Sequence, residues 1–396
     1  MAELISIQEA RERVLAAVRP LAAEDVPLDR ALGRVLAEGV TSTVDVPPFR
    51  SSAMDGYAVA PGPPAELEVI GEARAGHPAA VALGPRSAVR ISTGAALPAG
   101  ADAVVPVERA DDAAGNGRVR VPEMRPGENV RYPGEDVPAG TLVLRAGAVV
   151  GPAELGVAAS VGRHALRCAR RPRVQVLVTG DELTEPGARL GPGRIYSSNA
   201  YALAGQVERA GAEVAGRHTV PDRRDGTRAA LGSALADADV VIVSGGVSVG
   251  PHDHVKDALG DLSVEERFWG VRLRPGKPVW FGTHGATLVF GVPGNPVSAM
   301  VTFQLFARPA LAALQGADSA ARRAVAVLDE PIPRNSWREE AVRVRLRAQA
   351  DGWHAAPTGE QDSHMLTSML DADALAMIAP GEGAVAAGDR VEIELL

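Results

Sequence analysis

The stretch that decides the fold is residues 239–257, DVVIVSGGVSVGPHDHVKD. It begins with a short apolar run rich in valine, and two glycines and a polar turn follow. An apolar run of this length, bounded by turn residues, is typical of a strand that is buried on both faces, as in a parallel sheet. We therefore predict a strand at its start and a helix at about 253–260.

The same alternation continues on both sides of this stretch. A basic linker leads into the apolar run VQVLVTG, and later TLVFGVPG has the same character. Helical patterns separate these runs, at about 199–211 and 225–237 and over 295–316, and a further strand is predicted at 213–220. Short apolar strands alternating with helices predict a doubly wound, mostly parallel α/β domain over residues 172–316.

The regions on either side of the α/β domain show different hydrophobic patterns. Residues 6–19 show helical spacing, with Ser6 and Glu9 in a capping-box pattern. A second helix is predicted at 29–37 and an alanine-rich one in PAELGVAASVG, which we expect to pack beside the first two. Short β-like runs fill 46–139 and return after 316. The predicted domains are an elongated helical segment (1–45 with 140–171), an inserted β-rich domain (46–139), the α/β domain and a small barrel-like C-terminal β-domain (317–396).

Composition excludes several classes of protein. The 396-residue chain has 41 basic and 49 acidic side chains, and its net charge of −8 argues against a protein that coats nucleic acid or an anionic membrane. The single cysteine, Cys168, permits no internal disulfide. We find neither a secretory signal nor an uninterrupted apolar run of about 18 residues. These features predict a cytoplasmic protein.

Three turns at the predicted strand ends are candidates for a binding site: VTGDEL (178–183), the 243–257 stretch and FGVPGNPVSAM (290–300). Ligands of open α/β sheets bind beyond the carboxyl ends of the strands. Gly245 and Gly246 would let a ligand approach the backbone, and Asn295 with Pro296 resembles a helix start with unpaired N–H donors. A plain strand-to-helix turn explains each loop taken alone, whereas three at one sheet edge favour an anion site.

Charged residues lie in the same turns. Asp181, Glu182, Asp222 and Asp253 would suit Mg²⁺ beside a phosphate, although any one of them could instead be a helix cap, a turn former or a solvated residue. Basic residues around the Pro-Gly turn of RLRPGKPVWF could clamp an oxyanion or belong to a solvated hairpin. We do not interpret HDH (252–254) as a zinc site, because no distant ligand set completes it. Asp55, in SSAMDGYAV, is either a turn residue or a functional acid.

Eight blocks of sequence in one order resemble the molybdopterin molybdenumtransferase family, which includes bacterial MoeA proteins and the gephyrin E domain. They are PPFRSSAMDGYAV, RISTGAALPAGADAVVPVE, GENVRYPGEDV, VLVTGDEL, GRIYSSNAYAL, DVVIVSGGVSVGPHDHVKD, RLRPGKPVWFG and FGVPGNPVSAMVTF. The resemblance implies insertion of molybdate into adenylylated molybdopterin with release of AMP, assisted by Mg²⁺. It also implies a homodimer whose active site lies between the α/β domain of one subunit and the inserted domain of the other. The molybdopterin adenylyltransferase is a possible partner.

The resemblance assigns site residues by position. The catalytic acids would be Asp55, Asp136, Glu182, Asp222 and Asp253, of which Asp55, Asp222 and Asp253 would bind the metal. The substrate-binding residues would be Thr93, Ser244, Gly245, Gly246, Arg274, Lys277, Pro293, Gly294, Asn295 and Pro296. The molybdate contacts would be Arg343 and Ser363.

This chain departs from the family pattern at two basic positions. Gly270 stands where some members have lysine, which removes a charge, and Arg274 replaces another lysine and so changes a point charge into a planar fork. Two rival functions are less well supported by the sequence. An adenylyltransferase would need only the α/β domain, and a peptide-binding scaffold would use a dimer of this type without catalysis.

Overall fold

A computed structural model describes residues 4–112, 116–247 and 254–396. Asp253, predicted as a catalytic acid and metal ligand, lies outside the described residues. At the centre is a six-stranded sheet, in which the first four strands pair in parallel and the fifth and sixth are each added by an antiparallel pairing. In spatial order the strands are Glu213–Val220, Arg173–Thr179, Val240–Ser244, Thr287–Val292, Trp280–His284 and Glu265–Trp269.

Helices cover both faces of this sheet. Ser198–Arg209 and the continuous helical stretch Pro296–Leu314 pack against one face, where Val176, Leu203 and Phe306 lie in one apolar core. Arg224–Ala236 and His254–Asp261 pack against the other. Because nearly every residue of the central strands is buried, their sequences are continuous apolar runs. The doubly wound architecture is confirmed.

The helical stretch Pro296–Leu314 is long and apolar enough to cross a membrane by length and composition alone. However, 78% of its most apolar window is buried inside the protein. Its apolar residues belong to the core beneath the sheet, and Phe303–Ala307 forms a π-helical turn within it. It is therefore placed as the core helix of the α/β domain.

The N-terminal helix, Ile7–Ala16, begins at Ser6, whose hydroxyl accepts a hydrogen bond from the Glu9 amide at 3.0 Å. It packs on the core of the α/β domain through Ile7, Ala10 and Val14. Arg11 reaches Glu394 near the end of the chain at 2.5 Å, so this helix also contacts the C-terminal domain. The expectation that it packs beside the alanine-rich helix is wrong, because its apolar face is already buried here.

The predicted helix at 29–37 is also wrong, since only the short 3-10 turn Leu28–Arg30 forms. Gly33 adopts a φ of +73°, and the Leu36 amide donates to the Ala148 carbonyl at 2.9 Å, as in a strand pairing. Tertiary pairing has therefore overridden a helical spacing. The neighbouring elements, which share a core with the helix Pro152–Ser160, are Ala23–Pro27 paired with Ala165–Ala169 and Val40–Thr41 paired with Leu142–Leu144.

Residues between these pairs form a five-stranded sheet with an apolar core on each face. In spatial order its strands are Ala103–Pro106, Gly56–Val59, Ser87–Ile91, Ala65–Ala73 and Arg118–Val121, and Ser51–Ser52 pairs with Val130–Arg131 beside it. A side chain at Gly56 would place its first carbon 1.8 Å from the Val105 carbonyl oxygen. Glycine after Asp55 is therefore required by strand packing as well as by the turn.

The C-terminal region is a closed five-stranded barrel with its own core. Around the barrel the strands are Glu339–Gln349, Gly352–Pro357, Arg323–Leu328, Arg390–Leu395 and Ala374–Ile378, and Ile332–Pro333 pairs with Ala384–Val385 at its side. One further pairing is important for the site. The short strand Leu273–Arg274 runs parallel to Glu339 and Glu340, which joins the basic Pro-Gly turn to the barrel.

A pH-dependent contact stabilises one end of the barrel. Asp329 lies 3.0 Å from Nδ1 of His354, Asp351 lies 3.1 Å from Nε2, and these carboxylates raise the pKa of His354. A raised histidine pKa means that the stabilisation is full below the ordinary value of 6.5 and is lost as the pH rises through the folded-state pKa. We expect the difference in melting temperature between the wild type and His354→Gln to be largest near pH 5–6 and to shrink toward pH 8. A difference that grows with pH would contradict this contact.

Candidate active site

A cavity of about 590 Å³ lies at the carboxyl ends of the central parallel strands. Its wall includes six of the residues predicted from the three turns, together with His364 from the C-terminal domain. The six are Glu182, Ser244, Pro293, Gly294, Asn295 and Pro296. The structure thus brings the first and third predicted turns and the end of the central strand to one site.

The glycine turn packs tightly over Thr179. Gly245 and Gly246 have φ values of +92° and +65°, and an added Cβ would lie 2.8 Å and 3.2 Å from the Thr179 hydroxyl oxygen. Packing against Thr179 therefore requires glycine here, and the close approach of a ligand stays a prediction. The Gly245 amide, however, donates to the Val292 carbonyl at 3.1 Å, so it is not the free anion donor that we expected.

The start of the next helix differs from the prediction in a similar way. Asn295 is the N-cap and Pro296 the first helical residue, as expected. Pro296 has no N–H, and the Val297 amide donates to the Ser363 carbonyl at 3.2 Å. The side chain of Asn295 donates to the Ser363 hydroxyl at 2.8 Å instead of capping the helix. The expected set of unpaired donors is therefore partly used to fix Ser363 beside the cavity.

Sequence reasoning missed polar atoms of the cavity wall that have no hydrogen-bond partner among the described residues. Asn199 donates from Nδ2 to the Ser244 hydroxyl at 2.9 Å and to the Gly294 carbonyl at 2.8 Å, which fixes the orientation of its amide. Its Oδ1 and the hydroxyls of Thr179 and Ser197 are buried without a hydrogen-bond partner among the described residues. Such groups cost free energy unless something pairs with them. The sequence did not single out these three residues, because Asn199 is held by Ser244 and Gly294 from distant segments and no local pattern marks a buried unpaired oxygen.

Acidic residues converge at two neighbouring strand ends. The Asp222 amide donates to Asp181 Oδ1 at 3.3 Å. Burial raises the pKa of Asp222, and a hydrogen bond from the Asp181 backbone opposes this. The charges of Glu182 and Asp181 raise the pKa further, while His254 lowers it. A cation would relieve this repulsion, and carboxylate oxygens are the donors that Mg²⁺ prefers.

No three acidic or histidine side chains among the described residues converge closely enough to hold a metal by themselves. Mg²⁺ commonly keeps several waters and binds one or two carboxylates together with substrate phosphate. One or two carboxylates of this group would therefore be enough for Mg²⁺ if a phosphate supplied the other oxygen ligands.

Basic residues gather where the Pro-Gly turn meets the barrel. Arg274 is paired with the buried Glu340 at 2.9 Å. Lys277 and Arg338 both lie against the ring of Trp337, at 5.9 and 4.8 Å from its centroid. Burial, and then the charge of Arg274, lowers the pKa of Arg338. The sequence did not single out Arg338, because it reaches this cluster only through the pairing between two domains.

Arg343, predicted as a molybdate contact, is 1% exposed. Its guanidinium donates to the Ser368 hydroxyl and to the carbonyls of three successive loop residues, Glu360, Gln361 and Asp362, at 3.1–3.3 Å. Burial lowers its pKa to about 10. These contacts hold the loop that carries Ser363.

Asp55, Thr93 and Asp136 lie in the inserted domain. Asp55 Oδ1 accepts hydrogen bonds from the Thr93 amide at 2.7 Å and from the Thr93 hydroxyl at 3.2 Å. Asp136 is exposed, and its amide donates to the Val46 carbonyl at 3.0 Å. None of the three lines the 590 Å³ cavity within the described part of this single chain. One chain thus presents two separate groups of predicted site residues.

Family models match three successive parts of the chain. Residues 5–162 match the MoeA N-terminal region, domains I and II, residues 175–313 match a probable molybdopterin-binding domain, and residues 325–396 match the MoeA C-terminal region, domain IV.

Relatives that match the whole chain indicate the same family. The chain is 38% identical to molybdopterin molybdenumtransferase 2 of Mycobacterium tuberculosis, over 98% of each chain, and 34% identical to the molybdopterin molybdenumtransferase of Haemophilus influenzae, over 99% of this chain and 98% of the relative. The crystal structure of the molybdopterin biosynthesis MoeA protein of Pyrococcus horikoshii superimposes over 100% of both chains, with a TM-score of 0.84 and 30% identity. With its fold, its cavity and these full-length relatives, the chain belongs to the MoeA family of molybdopterin molybdenumtransferases.

Proposed function

We propose that this chain inserts molybdenum into adenylylated molybdopterin and releases AMP, the final step of molybdenum cofactor assembly. The observation that carries the proposal is the division of charge around one cavity. Acids at the ends of two parallel strands, Glu182 among them, stand at one side. The basic cluster stands beside Pro278, which lines the same cavity. A substrate with a phosphoanhydride and a second anionic reactant needs this combination.

The residues divide the work by charge. Lys277 and Arg338, with Arg274, would hold molybdate against its own repulsion from the substrate. Asp222, Glu182 and Asp181 would hold Mg²⁺, which would offset the charge of the phosphoanhydride when AMP leaves. The acids then act as metal ligands and water positioners rather than as general bases. The unpaired Asn199, Ser197 and Thr179 atoms offer polar partners to the uncharged parts of the substrate.

We further propose that the active site is completed in a homodimer. Asp55 and Thr93 are exposed on the inserted domain, away from the cavity of their own chain. Phe49 and Met54, which precede Asp55 in sequence, are 46% and 41% exposed, and a partner that covered them would bury apolar surface. A second copy would bring Asp55 to the cavity of the first. We place the protein in the cytoplasm, where an adenylyltransferase could supply its substrate.

AMP release from adenylylated molybdopterin, measured with and without molybdate, tests this function. We expect release that depends on molybdate. Molybdate-independent formation of adenylylated pterin from ATP and molybdopterin would instead indicate an adenylyltransferase. Tight peptide binding without any AMP release would indicate a scaffold.

Arg338 and Arg343, both in the C-terminal domain, should respond differently to substitution. Arg338→Met should raise the KM for molybdate about tenfold and leave the free energy of unfolding within about 1 kcal/mol, because it removes a partly exposed cation. Arg343→Met should lower the free energy of unfolding by about 3 kcal/mol, because it leaves several buried acceptors unpaired. Denaturant unfolding and steady-state kinetics on both variants would check this. A stable Arg343→Met variant with the larger KM would reverse the two assignments.

A further inference from the structure

Trp337 lies where the α/β domain meets the C-terminal barrel. Its ring is 47% exposed, although tryptophan is a large, mostly apolar side chain. Lys277 approaches the ring from the Pro-Gly turn of one domain, and Arg338 lies against it from the other. The two segments are held together by the pairing of Leu273 with Glu339 and of Arg274 with Glu340. One aromatic ring therefore contacts two cations that come from different domains.

The cations near this ring outnumber their carboxylate partners. Arg274 is paired with Glu340, whereas Lys277 and Arg338 have no carboxylate within ion-pair distance in the described residues. Burial lowers the pKa of both Arg338 and Arg343, and the charge of Arg274 lowers both further, as expected when like charges lie close together. Side chains that repel would swing apart into solvent unless something held them. An aromatic face attracts cations through its quadrupole and would oppose that movement.

We propose that Trp337 is a positioning residue of the oxyanion subsite, holding Lys277 and Arg338 together so that a tetrahedral dianion such as molybdate can bind both. This inference rests on the proposed function for the identity of the anion. The indole does not touch the anion in this account, and it acts only through the two cations. Preorganised charges bind an anion more tightly than flexible ones, because less side-chain freedom is lost on binding.

The test compares Trp337→Leu, Trp337→Phe and a matched control, Trp353→Leu. Trp353 belongs to the same domain and is 45% exposed, but its ring contacts no cation within the described part of the chain. Binding of sodium molybdate alone would be measured by calorimetry on the folded, full-length protein. The KM for molybdate and kcat would be measured in the AMP-release reaction.

We expect Trp337→Leu to weaken molybdate binding about five- to tenfold and to raise the KM by a similar factor, with kcat within about twofold of wild type. Trp337→Phe should recover the affinity to within about threefold, because it keeps an aromatic face, and Trp353→Leu should bind as wild type. Unchanged affinity in Trp337→Leu would overturn the proposal, and so would a Phe variant as weak as the Leu variant.

Direct binding of molybdate distinguishes the role of Trp337 from the proposed reaction. Loss of molybdate binding in Trp337→Leu, together with an absence of AMP release in wild type, would leave the subsite standing and remove the proposed reaction. Normal AMP release, together with Trp337 variants that bind molybdate as tightly as wild type, would leave the proposed reaction standing and remove the positioning role of Trp337. If Trp337→Leu alters the melting temperature by more than the Trp353→Leu control, the Phe variant decides between the two roles. Recovered molybdate affinity supports a positioning role, and affinity that stays low indicates a packing role.

Discussion

Asp222→Asn should reduce molybdate-dependent AMP release on the order of 100-fold without destabilising the protein. The carboxylate lies beside Asp181 and Glu182, and its pKa is raised by burial and by these neighbouring charges. Removing a charge that is repelled in the folded state should leave the melting temperature unchanged or slightly higher above the ordinary aspartate pKa. Loss of activity with retained stability is what we expect when an acid that holds a metal is replaced. AMP release and thermal unfolding, measured on the same preparation, would show it.

A matched control for this variant is available three residues further along the chain. Asp225 is exposed and lies in the first turn of the next helix, whereas Asp222 is partly buried at the strand end beside Asp181. Asp225→Asn should retain AMP release within about twofold, because it removes an equal charge from a solvated position. Equal losses in the two variants would indicate a general effect of surface charge and would contradict the role of Asp222.

The second large effect concerns Asp55. Two substitutions distinguish its part in the turn from a functional role of its charge. Asp55→Asn keeps an oxygen that can accept the Thr93 hydrogen bonds but removes the charge, whereas Asp55→Ala removes both. We expect both variants to lose AMP release by roughly 100-fold, since the charge is needed at the composite site. Only Asp55→Ala should also lose stability, by about 1 kcal/mol, because the Thr93 amide loses its acceptor.

The asparagine variant therefore decides the question. If Asp55 only formed the turn, Asp55→Asn would release AMP at nearly the wild-type rate, and Asp55→Ala would fail in proportion to its lost stability. Thr93→Val offers a comparison, because it removes the 3.2 Å side-chain contact and leaves the 2.7 Å amide contact in place. It should have a much smaller effect on AMP release than Asp55→Asn.

Local sequence patterns predicted the α/β domain well, because its signals are local. Runs such as VVIVS and TLVFGV are continuous apolar strands since both faces of the sheet are covered, and glycines at 245 and 246 are required by close packing on Thr179. The helix predicted at 29–37 failed for the complementary reason. Its apolar residues pair with segments more than a hundred residues away, and Gly33 at positive φ interrupts the helical spacing.

The polar part of the site was harder to predict, because it is built from distant pairings. Arg338 joins Lys277 only after two domains pair through a two-residue strand, and Asn199 gains its role from Ser244 and Gly294. Arg343, which was predicted as a molybdate contact, shows the reverse, since its guanidinium is buried and donates to loop carbonyls. Sequence spacing gives residue type and neighbourhood, but it does not say which polar atoms remain unpaired.

Mixed dimers test most directly whether Asp55 of one subunit works with Asp222 of the other. Asp55→Asn and Asp222→Asn proteins would be unfolded or dissociated, reassociated in equal amounts, and assayed for molybdate-dependent AMP release. In a composite site, half of the dimers are mixed and carry one intact site each, so release should recover to about a quarter of the wild-type rate. If both residues act within one subunit, every site in every dimer keeps a defect, and the mixture would stay as inactive as either parent.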